Sequence, residues 1–154
     1  MKKKISPKRK IILIVLLVLL VFIVYNVIWY FGCYRIYQNY QSEIPEVADS
    51  GVRVYVDDDG YNYSVKLPSY LSWTGNLAVT EENIDYALII WPGALGGEAE
   101  IGFFLIDEST EYQIELTNKT TAANLEFQEL VDENLEIITM LYDKAYDFWG
   151  VELE

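Results

Sequence analysis

Residues 11–31 read IILIVLLVLLVFIVYNVIWYF, twenty-one positions with one amide, Asn26, and no charge. At about 1.5 Å per residue a helix of that length covers about 30 Å, the thickness of a bilayer's hydrocarbon core. Up to Tyr25 the stretch is apolar on every face, whereas a helix of a water-soluble core alternates apolar and polar sides. The sequence therefore predicts a transmembrane signal-anchor helix over 11–31, with the lipid bilayer as the partner of that segment.

The flanks give it a direction. Residues 1–10 carry six basic side chains (Lys2, Lys3, Lys4, Lys8, Arg9 and Lys10), and Arg35 is the only basic residue in the twenty positions after the span. Basic flanks stay in the cytoplasm, so 1–10 reads as a cytoplasmic tail and the C-terminal part as extracytoplasmic. Lys8, Arg9 and Lys10 on one side and Trp29 and Tyr30 on the other are the expected anchoring residues, since indole and phenol rings suit the headgroup region. The bulky exit also disfavours cleavage as a signal peptide, which requires small residues at the cut. Gly32-Cys33 has the last two letters of a lipobox, but Tyr30 and Phe31 are wrong for the rest of that motif. Asn26 lies close enough to the outer interface to be solvated, which weakens a role for it in pairing helices.

All twenty-four Asp and Glu follow the span, against five basic residues, so residues 32–154 carry a formal charge of −19. That field repels phosphate backbones, which excludes nucleic acid as a partner. One cysteine permits no intrachain disulfide, and the absence of histidine excludes a His-dependent triad and the usual zinc ligand sets. No metal ligands, no cofactor and no catalytic residues are assigned.

Residues 32–51 read as a juxtamembrane tether bounded by Pro45 and the Ala48 to Gly51 segment, in which Tyr34, Tyr37 and Tyr40, spaced by three, allow a short helical continuation that holds these rings on one side. Residues 52–154 then form one acidic α+β domain. VRVYV, the acidic turn Asp57-Asp58-Asp59-Gly60 and YNYSVKL have the form of a β-hairpin. The turn resembles a calcium loop only superficially, because Tyr55 stands where the first ligand belongs, and Asp caps with Gly60 at positive φ explain it better. Further strands are expected at 76–80, 86–91, 100–107 and 112–117. After Lys119 apolar residues recur at helical spacing, from Phe127 through Val131, Leu135, Ile138, Tyr142 and Ala145 to Trp149, with Gly150 as the stop and an interruption near 132–134. The expected fold is a single N-terminal transmembrane helix plus a small α+β domain, an antiparallel sheet of about five to six strands packed on one face by a C-terminal amphipathic helix.

Two loops supply candidate binding residues. PSYLSWTG, Pro68 to Gly75, offers Tyr70 and Trp73, ring types that anchor interfaces or stack on sugars but that also fold over the ends of small cores. PGALGGEAE, Pro92 to Glu100, offers Gly93, Gly96 and Gly97, although it lacks the lysine and hydroxyl of a phosphate loop. The function expected first is a single-pass, membrane-anchored, non-catalytic binding or scaffolding module of the cell envelope with a protein or glycan partner. The alternatives are a small regulatory or protective subunit of a transporter, secretion system or toxin, and a carboxylate-dependent glycan hydrolase using acids such as Glu98, Glu100 and Asp107. Sequence assigns neither the ligand nor an oligomeric state.

Overall fold

A computed structural model describes residues 6–44, 52–81, 85–107 and 110–152. Lys2 to Lys4 and the expected boundary at Pro45 and Ala48 to Gly51 lie outside the described residues.

The first helix, α1 (Pro7–Trp29), starts where its chemistry dictates. Ser6 is extended and its Oγ accepts from the Arg9 N–H at 3.5 Å, while Pro7 takes the first helical position, where a missing N–H costs nothing. Lys8, Arg9 and Lys10 occupy the first turn and are exposed. From Ile11 to Ile28 the aliphatic side chains all point outward, each 44–63 % exposed. The helix is long and apolar enough to cross a membrane, with a mean hydropathy of 3.4 over its most apolar window.

The chain does not leave the helix at Phe31. It passes through one wide π-helical turn, Tyr30–Tyr34, into α2 (Arg35–Ser42). Residues 32–42, part of the stretch expected as a tether, thus prolong the helix, and Cys33 and Tyr37 on it, with Ile44 just past its end, belong to the domain core at 0–1 % exposure. The spacing of four puts Cys33 and Tyr37 on one face of the helix. The extra residue in the π turn aims that face at the sheet, because without it everything downstream would be rotated by about 100°.

The sheet has seven antiparallel strands rather than five or six, in the order of the chain: β1 (Val52–Val56), β2 (Tyr61–Lys66), β3 (Asn76–Glu81), β4 (Tyr86–Trp91), β5 (Glu100–Asp107), β6 (Thr110–Asn118) and β7 (Thr121–Ala122). The additional strand is two residues long, too short to show a period. It forms because Asn118 Oδ1 accepts from both the N–H and the hydroxyl of Thr120 and folds the chain back on β6. The first hairpin closes as its residues imply. Asp57 Oδ1 accepts from the N–H groups of Asp59 (3.0 Å) and Tyr61 (2.8 Å), and Gly60 takes φ +88°.

Alternation assigns one face of the sheet to the core through Tyr63, Val65, Leu77, Leu88, Phe103 and Ile114. That face is covered by α3 (Gln128–Glu133) and α4 (Leu135–Trp149), with α2 at the end near the long helix. The interruption falls at Asn134, whose side chain turns back to the Leu130 carbonyl at 2.8 Å. The break explains why Leu135, aligned with the apolar face by spacing, is 36 % exposed, while Val131, Ile138, Tyr142 and Ala145 are buried. Gly150 at φ +65° ends α4.

The opposite face has no covering element among the described residues. It is polar on β2 and β6, as YNYSV and YQIEL imply, but Ala87, Ile89 and Trp91 of β4 and Phe104 of β5 make its centre apolar. The Trp91 ring lies across Gly102, where an added Cβ would approach it to 2.9 Å.

Candidate functional site

In a consecutive antiparallel sheet the connections alternate between two ends. Those after β2 and β4, the Pro68 to Gly75 and Pro92 to Ala99 loops, share one end, and they are the two loops that sequence marks as candidate binding segments. Both close on the exit of the long helix. Their meeting point is Gly32, where an added Cβ would run into Leu95 and approach the Trp73 ring to 3.8 Å.

The first loop grips the helix through backbone and ring contacts. Trp29 Nε1–H donates to the Ser72 carbonyl at 2.6 Å, and the Cys33 thiol donates to the Trp73 carbonyl at 3.0 Å. Trp73 packs edge-on against Tyr25 at 6.2 Å, and Tyr70 packs edge-on against Trp29 at 5.5 Å. Tyr70 also donates to Asn26 Oδ1 at 2.9 Å, while Asn26 Nδ2 donates to the Phe22 carbonyl at 2.7 Å, so the one amide in the apolar stretch is satisfied within its own chain. Trp73 is half-buried against the core and Tyr70 is 52 % exposed, so the two rings do not form a common binding patch. Trp29 is buried beneath the loop, and Tyr30 faces outward, stacked on Tyr34 at 5.9 Å.

Gly75 makes the closure possible. A side chain there would strike the Lys66 carbonyl and press on Pro68 and the Tyr37 ring, each at 3.0 Å. The Tyr37 hydroxyl sits 3.3 Å from the Pro92 carbonyl and 3.5 Å from that of Gly75, bridging the two loops from inside. Burial raises the pKa of Tyr37, of Tyr40 and of the Cys33 thiol, so all three stay neutral and the thiol is a poor nucleophile.

In the second loop Ala94–Gly96 forms a single tight turn. Gly93 fits only without a Cβ, which would meet the backbone of Gly97 and Glu98, and Gly96 takes φ +80°. Gly93 and Gly97 line a cleft of about 710 Å³ shared with Ile36, Tyr40, Thr117 and Val151. Glu98 and Glu100 are exposed beside it, which makes the loop a poor cradle for an anion. Glu100 and Asp107 begin and end β5, so their backbones stand about 23 Å apart at about 3.3 Å per residue. Among the described residues no group of three or more acidic or cysteine side chains is placed to hold a metal ion. The acidic side of α3 and α4 is solvated, with Lys144 held between Asp57 (3.5 Å) and Asp59 (2.7 Å).

Sequence reasoning missed two features. Gly32 is the space into which both loops close, and its signal was a lone small residue in a run of aromatic ones. The second is a hollow of about 400 Å³ on the uncovered sheet face, lined by Thr74, Ile89, Trp91, Phe104, Gln113 and Glu115. The unbroken apolar run Ala87 to Trp91 was the available sign, since a strand wet on one side alternates. Comparisons with protein-family models, curated proteins and solved structures return no match for this chain.

Proposed function

We propose that this chain is a single-pass, membrane-anchored binding module with its basic N-terminus in the cytoplasm and its acidic domain outside, and that it acts without catalysis. One observation carries the reading: the aliphatic side chains from Ile11 to Ile28 all face outward, on a helix that runs into the core of a folded domain. Water is a poor solvent for such a surface, whose burial in lipid is worth about 25 cal/mol per Å². The charge contrast of the flanks sets the direction.

The partner's place moves from the Tyr70 to Trp73 segment, which is occupied by the chain's own helix, to the uncovered sheet face around Trp91. An indole flanked by Ile89 and Phe104 with Gln113 and Glu115 at its edge suits a protein or glycan surface that offers apolar groups and hydrogen-bond donors. Topology is tested by external protease on cells from which any wall has been removed. The domain should be degraded while the membrane is intact, and degradation only after lysis would reverse the orientation.

The second reading, a small subunit of a larger membrane protein, is favoured by the continuity of the helix, since a stiff rod joins events in the bilayer to the domain. A stoichiometric integral-membrane partner after mild detergent extraction supports it, and recovery of the chain alone opposes it.

A further inference from the structure

We propose that Leu71 and Leu95, at the tips of the two loops around the helix exit, enter the bilayer and seat the domain directly on its surface. This deepens the membrane-anchored reading and rests on it. Both leucines are exposed, at 62 % and 69 %, and they are the only non-glycine residues with positive φ among the described residues, at +69° and +57°. Positive φ is uncommon for a branched aliphatic side chain, so the backbone adopts a disfavoured shape at both tips while leaving a leucine with little protein to cover it.

The long helix shows what covers them. If Lys8 to Lys10 hold the inner boundary, a core of about 30 Å measured from Ile11 reaches its outer edge near Phe31. The first loop touches the helix below that level, with Tyr70 on Asn26, Trp73 on Tyr25 and Ser72 on Trp29, and Leu71 lies between these contacts. Leu95 packs at Gly32, one residue past the edge. The same neck presents Phe31 at 57 % and Tyr30 at 40 % exposure. An apolar rim continuous with the apolar helix fits lipid, whose acyl chains already surround that helix.

The test uses the full chain with Cys33→Ser, reconstituted in phosphatidylcholine–phosphatidylglycerol vesicles and carrying a nitroxide at Leu71→Cys or, separately, Leu95→Cys. Either position alone reads the depth of its loop. Leu17→Cys in the helix and Asp58→Cys in the hairpin at the opposite end of the sheet are the references. Collision with oxygen and with a water-soluble nickel chelate is measured. The expected oxygen-to-nickel ratio at 71 and 95 is several-fold above that at 58 and approaches that at 17. Nickel access at 71 and 95 equal to that at 58, with 17 still in lipid, overturns the seating alone. Nickel access at 17 as well removes the membrane-anchored reading. Shielding of 71 and 95 from both reagents means that a protein, or a second copy of the chain, covers the rim and also overturns the proposal.

Discussion

The side chain that best separates a domain on a tether from one fused to its helix is Tyr37. Its ring is 1 % exposed and its hydroxyl lies between two loop carbonyls. Tyr37→Ala should therefore cost about 3–5 kcal/mol, the range for removing a large ring from a core, while Asn39→Ala on the exposed side of the same helix should cost almost nothing. Denaturant unfolding of the two variants in detergent checks the difference. Asp57 makes a pH prediction. Burial works to raise its pKa, but hydrogen bonds from the Tyr61 N–H and the Tyr63 hydroxyl, the nearby Lys144 ammonium and the Asp59 N–H outweigh this and hold the carboxyl below its ordinary 3.8. A folded pKa below the unfolded one gives stability that is complete above about pH 4 and is lost as pH falls through the folded value. Asp57→Ala should lower stability by about 1–3 kcal/mol at pH 7, the cost of losing charge-assisted hydrogen bonds, and should flatten the decline below pH 4 in a series of melts.

At the scale of elements, the junction between α1 and α2 carries the most information. One added residue in the Tyr30–Tyr34 turn sets the phase of Cys33, Tyr37 and Ile44 against the sheet. Deleting Phe31, itself exposed, would restore a regular helix and turn those three side chains away from the core by about 100°. The deletion should lower the unfolding midpoint far more than Phe31→Ala, and equal effects would show that the phase does not matter. This junction is also where sequence was least legible. Six of the seven strands, the hairpin turn at Asp57 to Gly60 and the break near Asn134 could be read from period and turn chemistry, because each rests on contacts a few residues apart. The spacing of Tyr34, Tyr37 and Tyr40 allowed a short helical continuation, but the burial of Tyr37 depends on a helical phase change and on two loops about 40 and 55 residues further on, neither of which leaves a local signal. For the same reason Tyr70 and Trp73 were legible as a pair of interface-type rings, but not as rings that close on the chain's own helix.

For the whole molecule, the consequence is mechanical. A flexible segment of about 20 residues would let the domain wander over about 25 Å, whereas a helix continuing from the apolar stretch into the core fixes its height and tilt. If the long helix spans a bilayer as proposed, a fixed domain presents the Trp91 face at one orientation to the membrane plane, and it keeps the Leu71 and Leu95 loops beside the helix exit. The central claim is this rigid union, and the distance between a nitroxide at Leu17→Cys and another at Glu136→Cys tests it directly by double electron–electron resonance, with Cys33→Ser and the chain in lipid nanodiscs. A single narrow distance distribution is predicted. A broad one, spread over tens of ångströms, would contradict the account and restore the tether.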